Sequence, residues 1–458
     1  MISPTVFVPL RKQNNQTMKQ CLLLLIAVIF LSLAPVAQTT EKEQKAPLFG
    51  ISFTGFVKTD IFFDSRQTNS PREGHFLLFP ENEKLDPEGN DINAKGSFNI
   101  LSIQTRLAGN IFGPDALGAK TSAYIEGEFF GNINSGINSF RLRHAWIKLN
   151  WKKTELLTGQ WWHPMFVPEC APATVSFNTG APFVVFSRNP QVKLSQSFGK
   201  FKASLTFLSQ VDFVSEGPDG PSPKYLRNSI LPETNLLLQY STKNEARGTE
   251  FLIGASINYQ LLTPRLASTV VVSKAYDTLH GNEVFHVDAV TAQYKTDVKS
   301  GGMAANLYTK LKLKPVTIKV GAEYGQNNNA YTMIGGFAVK SFVNKDKGFV
   351  DYANLSSMAA WAEIHTNGTT WQPALFAAYG KNLGTGTEVI GPYYARGANI
   401  GYAYRVSPRL NFNLKKLRIA GEVEYTVAAY GTADQKGVVG NTKEIGNLRL
   451  LLGVFYFF

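Results

Sequence analysis

The sequence predicts an all-β protein that forms a transmembrane antiparallel β-barrel of sixteen strands, with eighteen strands as the alternative. Three observations support this fold class: runs of about ten residues that alternate between apolar and polar side chains, a regular succession of short and long links, and an apolar C-terminal segment ending in Phe458. The composition agrees, because 458 residues that are 44% hydrophobic and only 17% charged are unlike a disordered chain. Two cysteines are too few for a disulfide scaffold.

The N-terminal residues predict export. Met18 and Lys19 precede an apolar run over 21–33 and small residues up to Ala37, which is the pattern of a secretory signal over residues 1–37, with Met18 as the alternative start. An N-terminal anchor helix is the alternative, but this run is shorter than the ~20 residues that span a bilayer. Residues 38–52 are then a short periplasmic segment, residues 53–458 form the barrel, and Cys170 is the one thiol left.

Alternation along the chain predicts the strands. In residues 53–63 the side chains of Phe53, Val57 and Ile61 share one face, and Lys58 and Asp60 fall on the other. For residues 98–111 the same period places on the apolar face Leu101, Ile103, Leu107 and Ile111. Strands of a soluble sandwich average five or six residues, whereas these runs are about ten, the length that a tilted strand needs to cross a bilayer.

The lengths of the links predict the strand count. Short links are expected at 112–118, 152–153, 198–200, 243–248, 313–315, 367–369 and 413–416. Long links are expected at 64–97, 131–139, 162–189, 211–233, 261–300, 327–353, 382–396 and 429–442. Because the two kinds alternate, fifteen connections join sixteen strands, as in bacterial outer-membrane barrels. Residues 284–296 also resemble a strand, and we assign them to a hairpin inside the loop 261–300.

The C-terminus predicts how the barrel closes and where it resides. Leu450, Leu452, Val454, Tyr456 and Phe458 alternate to the last residue, so the final strand has a lipid-facing row that can pair with the first strand. A terminal strand ending in Phe is similar to those of outer-membrane proteins. We therefore expect the protein in the cell outer membrane, with lipid against its outer face.

If the apolar faces contact lipid, the opposite faces line a channel, and their charges set its preference for solutes. The pore-lining candidates are Lys58, Asp60, Arg106, Glu126, Glu128, Lys148, Lys202, Lys310, Lys312, Lys319, Glu323, Arg418 and Glu422. Glu363 and Glu424 share this inward face, which makes eight basic and seven acidic residues. We expect a weak preference for anions, and no catalytic residues, metal site or cofactor.

The loop 162–189 is unusually apolar for a loop in water, so we expect it to pack against something. Folding into the barrel mouth would narrow the pore and make His163, Glu169 and Arg188 constriction-loop candidates. Packing on a neighbouring subunit is the alternative.

Two short motifs carry a family resemblance. The residues 141–146 (RLRHAW) and 156–161 (LLTGQW), which lead into the long third loop, resemble the DcaP-like porin family. The resemblance implies a sixteen-stranded homotrimeric channel that favours small anionic solutes, with Arg141 and Arg143 facing the pore. Alternation instead aligns Arg143 with Ala145 and Ile147 on the lipid row. The chain also lacks an evident N-terminal coiled coil, which leaves the trimer open.

The sequence thus favours a porin for passive diffusion of small hydrophilic solutes over two rivals. A surface-binding or adhesin barrel would use the loops 64–97 and 261–300. A barrel enzyme is disfavoured, because the six histidines are scattered and no nucleophile motif occurs. Nucleic acid is not expected as a partner, because the net charge of +12 is not concentrated in any block of basic residues.

Overall fold

The computed structural model describes residues 49–280 and 283–458, and it is an antiparallel β-barrel of sixteen strands, as predicted. The first eight strands are β1 (Gly50–Asp64), β2 (Ser97–Leu101 continued by Arg106–Phe112), β3 (Lys120–Glu128), β4 (Arg141–Asn150), β5 (Thr154–Trp162), β6 (Arg188–Phe198), β7 (Phe201–Leu208) and β8 (Glu233–Asn244). The other eight are β9 (Thr249–Leu262), β10 (Ser300–Lys312), β11 (Val316–Gln326), β12 (Phe349–Thr366), β13 (Trp371–Gly384), β14 (Ile400–Leu414), β15 (Leu417–Ala433) and β16 (Val439–Phe457).

The barrel closes between its first and last strands. β1 pairs with β16 in the antiparallel register Thr59↔Val454 and with β2 in the register Gly55↔Leu107, so neither strand has a free edge. The predicted signal over residues 1–37 lies outside the described residues. Of the predicted periplasmic segment 38–52, the structure describes only the end, where β1 begins at Gly50 rather than at residue 53.

The loops carry smaller elements of their own. These are the strands Thr68–Asn69, Phe79–Pro80, Ala267–Ser273, Tyr276–His280, Glu283–Val287, Val290–Lys295, Gly335–Asn344 and Tyr393–Arg396, the helix Lys224–Arg227, and the 3-10 turns Asn134–Gly136 and Asn328–Tyr331. Tyr276–His280 pairs with Glu283–Val287, and Ala267–Ser273 pairs with Val290–Lys295. The strand-like residues 284–296 are therefore part of a hairpin within the loop, as predicted.

One predicted long link is wrong. β15 and β16 continue past the expected loop 429–442 and pair as far as Ala433↔Val439, which leaves a turn of residues 434–438. The Asp434 carboxylate accepts the backbone N–H groups of Lys436 and Val438, so the turn closes tightly without a loop.

The prediction for residues 98–111 is also partly wrong. β2 is interrupted between Leu101 and Arg106, and the interruption changes which face each residue occupies. Leu101 is opposite the inward-facing Asp60, and Ile103 is buried inside the barrel, whereas Leu107 faces outward as expected. A break of this kind resets the two-residue period, whereas the prediction assumed that the period continues unbroken through these residues.

The two faces of the wall differ as they do in a membrane barrel. In β16, Leu452 is 40% exposed on the outer face, whereas its neighbour Leu451 is 6% exposed and points inward. Apolar side chains on the outside and charged ones inside are the arrangement of outer-membrane barrels. Among the described residues, no helix is long and apolar enough to cross a membrane.

Candidate channel interior and constriction

The third long loop, L3 (residues 163–187), lies inside the barrel. It leaves β5, crosses the lumen and returns to β6, and its apolar side chains Phe166, Val184, Val185 and Phe186 are buried. Burial of this apolar segment explains why the loop does not extend into water. Its hydrogen bonds to the wall reach strands from β10 to β15 and β1.

Two wall carboxylates hold the tip of L3 by its main chain. The backbone N–H of Ala173 donates to Glu363 Oε2 at 2.6 Å, and the N–H of Val175 donates to Glu422 Oε2. Glu363 also pairs with Arg409, at 3.2 Å. The Glu363 carboxylate is buried and paired with Arg409, so its hydrogen bond to L3 is of the strong, charge-assisted kind.

Two wall lysines bind L3 carbonyl groups in the same way. Lys319 Nζ donates to the Ala171 carbonyl, and Lys58 Nζ donates to the Val175 carbonyl, each at 2.8 Å. Of the pore-lining candidates, Lys58, Lys319 and Glu422 thus point inward but serve as anchors of L3. Their side-chain groups bind main-chain N–H and carbonyl groups of L3.

The first long loop, L1 (residues 65–96), also enters the lumen. His75 Nε2 lies 2.6 Å from Asp60 Oδ2, which pairs with Lys58 Nζ at 3.0 Å. Burial lowers the pKa of His75, against the attraction of Asp60 and with the help of the positive charges of Lys58 and Arg449. The rings of Phe62 and Phe177 are packed against the imidazole.

Aromatic rings from L1, L3 and the link after β3 meet in the lumen. The rings of Phe130 and Phe177 stack with their centroids 4.0 Å apart, and Phe76 lies 5.3 Å from Phe177 and 5.2 Å from Phe186. All four side chains are buried in one apolar cluster. Because water is excluded from such a cluster, this part of the lumen is closed to ions and polar solutes.

Strands β2–β4 carry a network of arginines and glutamates on their inward face. Arg143 Nε is 2.6 Å from Glu126 Oε1, and its NH1 is 2.5 Å from Glu128 Oε1. Glu128 also pairs with Arg141 at 2.9 Å and with Arg106 at 3.1 Å. Arg106, Glu126 and Glu128, which the sequence predicted as pore-lining, therefore do face inward.

The placement of Arg143 on the lipid row is wrong. Its side chain is 2% exposed and points inward, because β4 contains a bulge: Glu126 pairs with His144 and Gly127 with Leu142, which leaves Arg143 as the extra residue. One extra residue inverts the alternation beyond it. The resemblance, which implied that Arg141 and Arg143 face inward, agrees with the structure.

Arg188, at the start of β6, is the least satisfied charge of the interior. It is 0% exposed, and its three guanidinium nitrogens have no hydrogen-bond partner among the described residues. Its guanidinium carbon lies 5.1 Å from the ring of Phe213, 5.2 Å from that of Trp162 and 5.6 Å from that of Phe186. The guanidinium is thus held among aromatic faces, and no acceptor among the described residues takes a hydrogen bond from it.

The charges around Arg188 are not balanced. The group consists of Arg72, Arg106, Arg141, Arg143 and Arg188 with Glu126, Glu128 and Asp212. Five positive and three negative charges leave an excess of two positive charges on this side of the lumen. Burial and the neighbouring Arg141 lower the pKa of Arg72 to about 10, so that the guanidinium is still charged at neutral pH.

The remaining basic candidates lie nearer the short turns. Lys148 pairs with Glu155 at 3.2 Å, and Lys310 pairs with Glu250 at 2.9 Å. Lys312 is exposed beyond Lys310 on the same face. Lys202 lies near Glu155 and Lys193, the latter a residue that the sequence analysis missed.

Three candidates have other surroundings. Arg418 is half-buried, donates to Asn413 Oδ1 at 2.7 Å and lies over the ring of Phe457. Glu323 is buried and accepts the Trp361 indole N–H at 3.1 Å. Both point inward, and Asp60 binds His75 and Lys58 as described above.

The three constriction-loop candidates lie in different environments in the structure. His163 is fully buried, with Nε2 3.0 Å from Glu233 Oε1, and Glu233 also accepts the Tyr331 hydroxyl at 2.5 Å. This network fixes the first residue of L3 to the wall. Glu169 is exposed on L3, and Arg188 belongs to the arginine group described above.

Several interior charges were missed by the sequence analysis, above all Arg405, Arg409 and Arg449. Arg405 and Arg409 alternate with Tyr404 and Val406 in β14, so the two-residue period could have found them. Residues 49–280 and 283–458 contain no cluster of histidine, cysteine and carboxylate side chains that could hold a metal ion.

The chain matches no family model and no curated protein sequence. Among solved structures it is similar to the outer membrane channel DcaP of Acinetobacter baumannii, over 92% of this chain and 100% of that one, with 16% identity and a TM-score of 0.61. An anion-selective porin from Comamonas acidovorans aligns with 90% of this chain over its whole length, at 10% identity and a TM-score of 0.49. The likeness to DcaP confirms, at the level of the fold, the resemblance carried by residues 141–161.

Proposed function

We propose that the protein is an outer-membrane porin, a channel through which small hydrophilic solutes diffuse passively and anions pass more readily than cations. The observation that carries the channel is the closed sixteen-stranded barrel with an apolar outer face and a charged inner face. A barrel of this size encloses a lumen wide enough for water, which side chains alone do not fill.

The preference for anions follows from how the interior charges are used. On the wall from β10 to β15, carboxylates and cations pair with each other and hydrogen-bond to the main chain of L3, as Glu363 and Lys319 do. On the wall from β2 to β6, two positive charges are in excess, and the buried Arg188 guanidinium has no acceptor among the described residues. An anion passing between L3 and this wall meets a favourable potential, and a cation meets an unfavourable one.

The function is tested by recording single channels of the purified, refolded protein in a planar bilayer under a salt gradient. Steady conductance with a reversal potential of the sign expected for anions supports the proposal. A barrel that is folded, as judged by heat-modifiable migration on a gel, but carries no current would contradict an open channel. Conductance with a cation-selective reversal potential would contradict the anion preference alone.

The proposal includes the partners that a porin needs: outer-membrane lipid around the wall and small hydrophilic solutes inside. A homotrimer is part of the proposal because the family resemblance of residues 141–161 implies one. Chemical cross-linking of the native protein in detergent, followed by gel electrophoresis, tests it. A single monomer band at every cross-linker concentration would refute the trimer.

A surface-binding role is the second candidate, and the hairpin within residues 267–295 favours it. This two-stranded ribbon exposes large apolar side chains, among them Val271, Val284 and Leu279, which is 69% exposed. Exposed apolar patches mark interaction sites. Deleting the end of the ribbon should leave conductance unchanged and abolish cell-surface binding if this role is correct.

A further inference from the structure

L1 and L3 are joined to each other inside the lumen. The ring of Phe76 in L1 packs on Phe177 and Phe186 in L3, and the imidazole of His75 stacks on Phe177 with the centroids 5.7 Å apart. The Asn178 amide of L3 also donates to the Leu77 carbonyl of L1, at 3.2 Å. A displacement of either loop would therefore disturb the other.

One wall residue, Arg405, binds both loops. Its NH1 donates to the Ala181 carbonyl of L3 at 2.8 Å, and its NH2 donates to the carbonyls of Leu77 and Leu78 in L1 at 3.2 and 3.0 Å. Its Nε donates to Thr426 Oγ1 on the neighbouring strand at 2.8 Å. The rigid guanidinium fork thus fixes two loops and the wall with one side chain, which a single-point donor cannot do.

A second wall residue, Asp60, joins the same loops through two partners. It accepts His75 of L1 directly, and it pairs with Lys58, whose ammonium group also donates to the Val175 carbonyl of L3. Asp60, Lys58 and His75 are all buried. Arg405 on β14 and Asp60 on β1 are therefore two points at which both loops together are held to the wall, in addition to the L3 anchors Lys319, Glu363 and Glu422.

We propose that L1 and L3 form a single gate, held in its closed position by Arg405 and Asp60, and that release of these contacts widens the channel. The inference rests on the proposed channel function and adds a regulation to it. In the closed position the rings of L1 and L3 exclude water from the part of the lumen that they fill. In the open position both loops leave the β14 wall together, because Arg405 binds carbonyls of both.

The test compares Arg405→Gln with the wild type in planar bilayers. The shorter, neutral amide of this variant offers one donor nitrogen in place of the fork that binds three loop carbonyls, so we expect single-channel conductance to rise about twofold or more and closures to become rarer. Arg247→Gln, in the exposed turn 245–248, removes the same charge away from both loops and is the matched control. Unchanged conductance in a folded Arg405→Gln barrel would refute the gate.

A second variant covers the case in which Arg405→Gln fails to fold. Arg405→Lys keeps the charge beside Glu424, which lies 3.6 Å from Arg405, but offers one nitrogen in place of the fork. We expect single-channel conductance to rise in this variant too, but by less than in Arg405→Gln. Conductance equal to that of the wild type would refute the gate.

The outcomes also separate the gate from the channel function. If wild type and both variants are folded but silent, the channel proposal fails and the gate falls with it. If the wild type is silent and Arg405→Gln conducts, the gate is supported and the wild-type pore is closed at rest. If all conduct equally, the porin stands and the gate does not.

Discussion

The replacement Arg188→Gln should weaken the preference for anions. Arg188 belongs to a group with two excess positive charges, and its guanidinium nitrogens have no partner among the described residues. Removing it halves the excess. Glutamine retains hydrogen-bonding capacity and fits beside the rings of Trp162 and Phe213, so the packing around it changes little.

The size of the effect follows from Coulomb's law. A unit charge about 7 Å from the path of an ion contributes about 0.6 kcal/mol at the dielectric constant of water and about 2 kcal/mol at an effective value near 20. The loss acts in opposite directions on anions and cations. Even at the lower figure each permeability changes roughly threefold, so the ratio of anion to cation permeability should fall about sevenfold.

The assay is the reversal potential under a tenfold salt gradient, recorded at low ionic strength because salt screens the charge within a Debye length of about 10 Å at 0.1 M. Arg247→Gln in the exposed turn 245–248 is the matched control, and its permeability ratio should equal that of the wild type. If Arg188→Gln leaves the ratio unchanged, ions do not pass within reach of this residue. The assignment of the solute path to the β2–β6 wall would then be wrong.

Three further predictions concern the loops. Glu363→Gln leaves Arg409 buried without its carboxylate and should destabilise the barrel by about 3 kcal/mol. The temperature at which the folded band converts to the unfolded band on a gel should fall. An unchanged temperature would show that L3 is not anchored at Glu363. Burial raises the pKa of Cys170 to about 12, so maleimide at pH 8 should label the unfolded chain but not the folded barrel, and rapid labelling of folded protein would place the thiol in open solvent. Burial lowers the pKa of His75 below its ordinary value of about 6.5, so His75 binds a proton more tightly when L1 is released than when L1 is packed. The packing of L1 should therefore be strongest above pH 6.5 and weaken as the pH falls, and single-channel conductance should rise as it weakens. His75→Phe should remove that rise.

Much of the barrel is encoded at short range and could be predicted from the sequence. Each strand has lipid on one face and the lumen on the other, so a two-residue period marks both the strand and its orientation. The period placed Lys58 and Asp60 inward and Val57 outward, as they are found. The lengths of the links then gave the number of strands, because one additional spanning strand would place a long loop on the side of the short turns.

The errors about which face a residue occupies arise where one residue is added to a strand or a strand is broken. The bulge at Arg143 and the interruption between Leu101 and Arg106 both reset the period, and no side chain at these points signals it in advance. The arrangement inside the lumen was beyond prediction for another reason. Arg405 meets L1 and L3 across hundreds of residues of sequence, through carbonyl groups that every residue possesses.

The manner in which L3 is anchored has a consequence for how such a channel can diversify. Glu363, Glu422, Lys319 and Lys58 bind the loop by its peptide groups, and none of these bonds depends on which side chains the loop carries. Point mutations at exposed positions of L3 can therefore alter the surface offered to a solute while these main-chain bonds keep the course of the loop. Selection on solute preference would act on a segment whose anchors belong to the wall, so new specificities could arise by substitution in L3 without rebuilding the barrel.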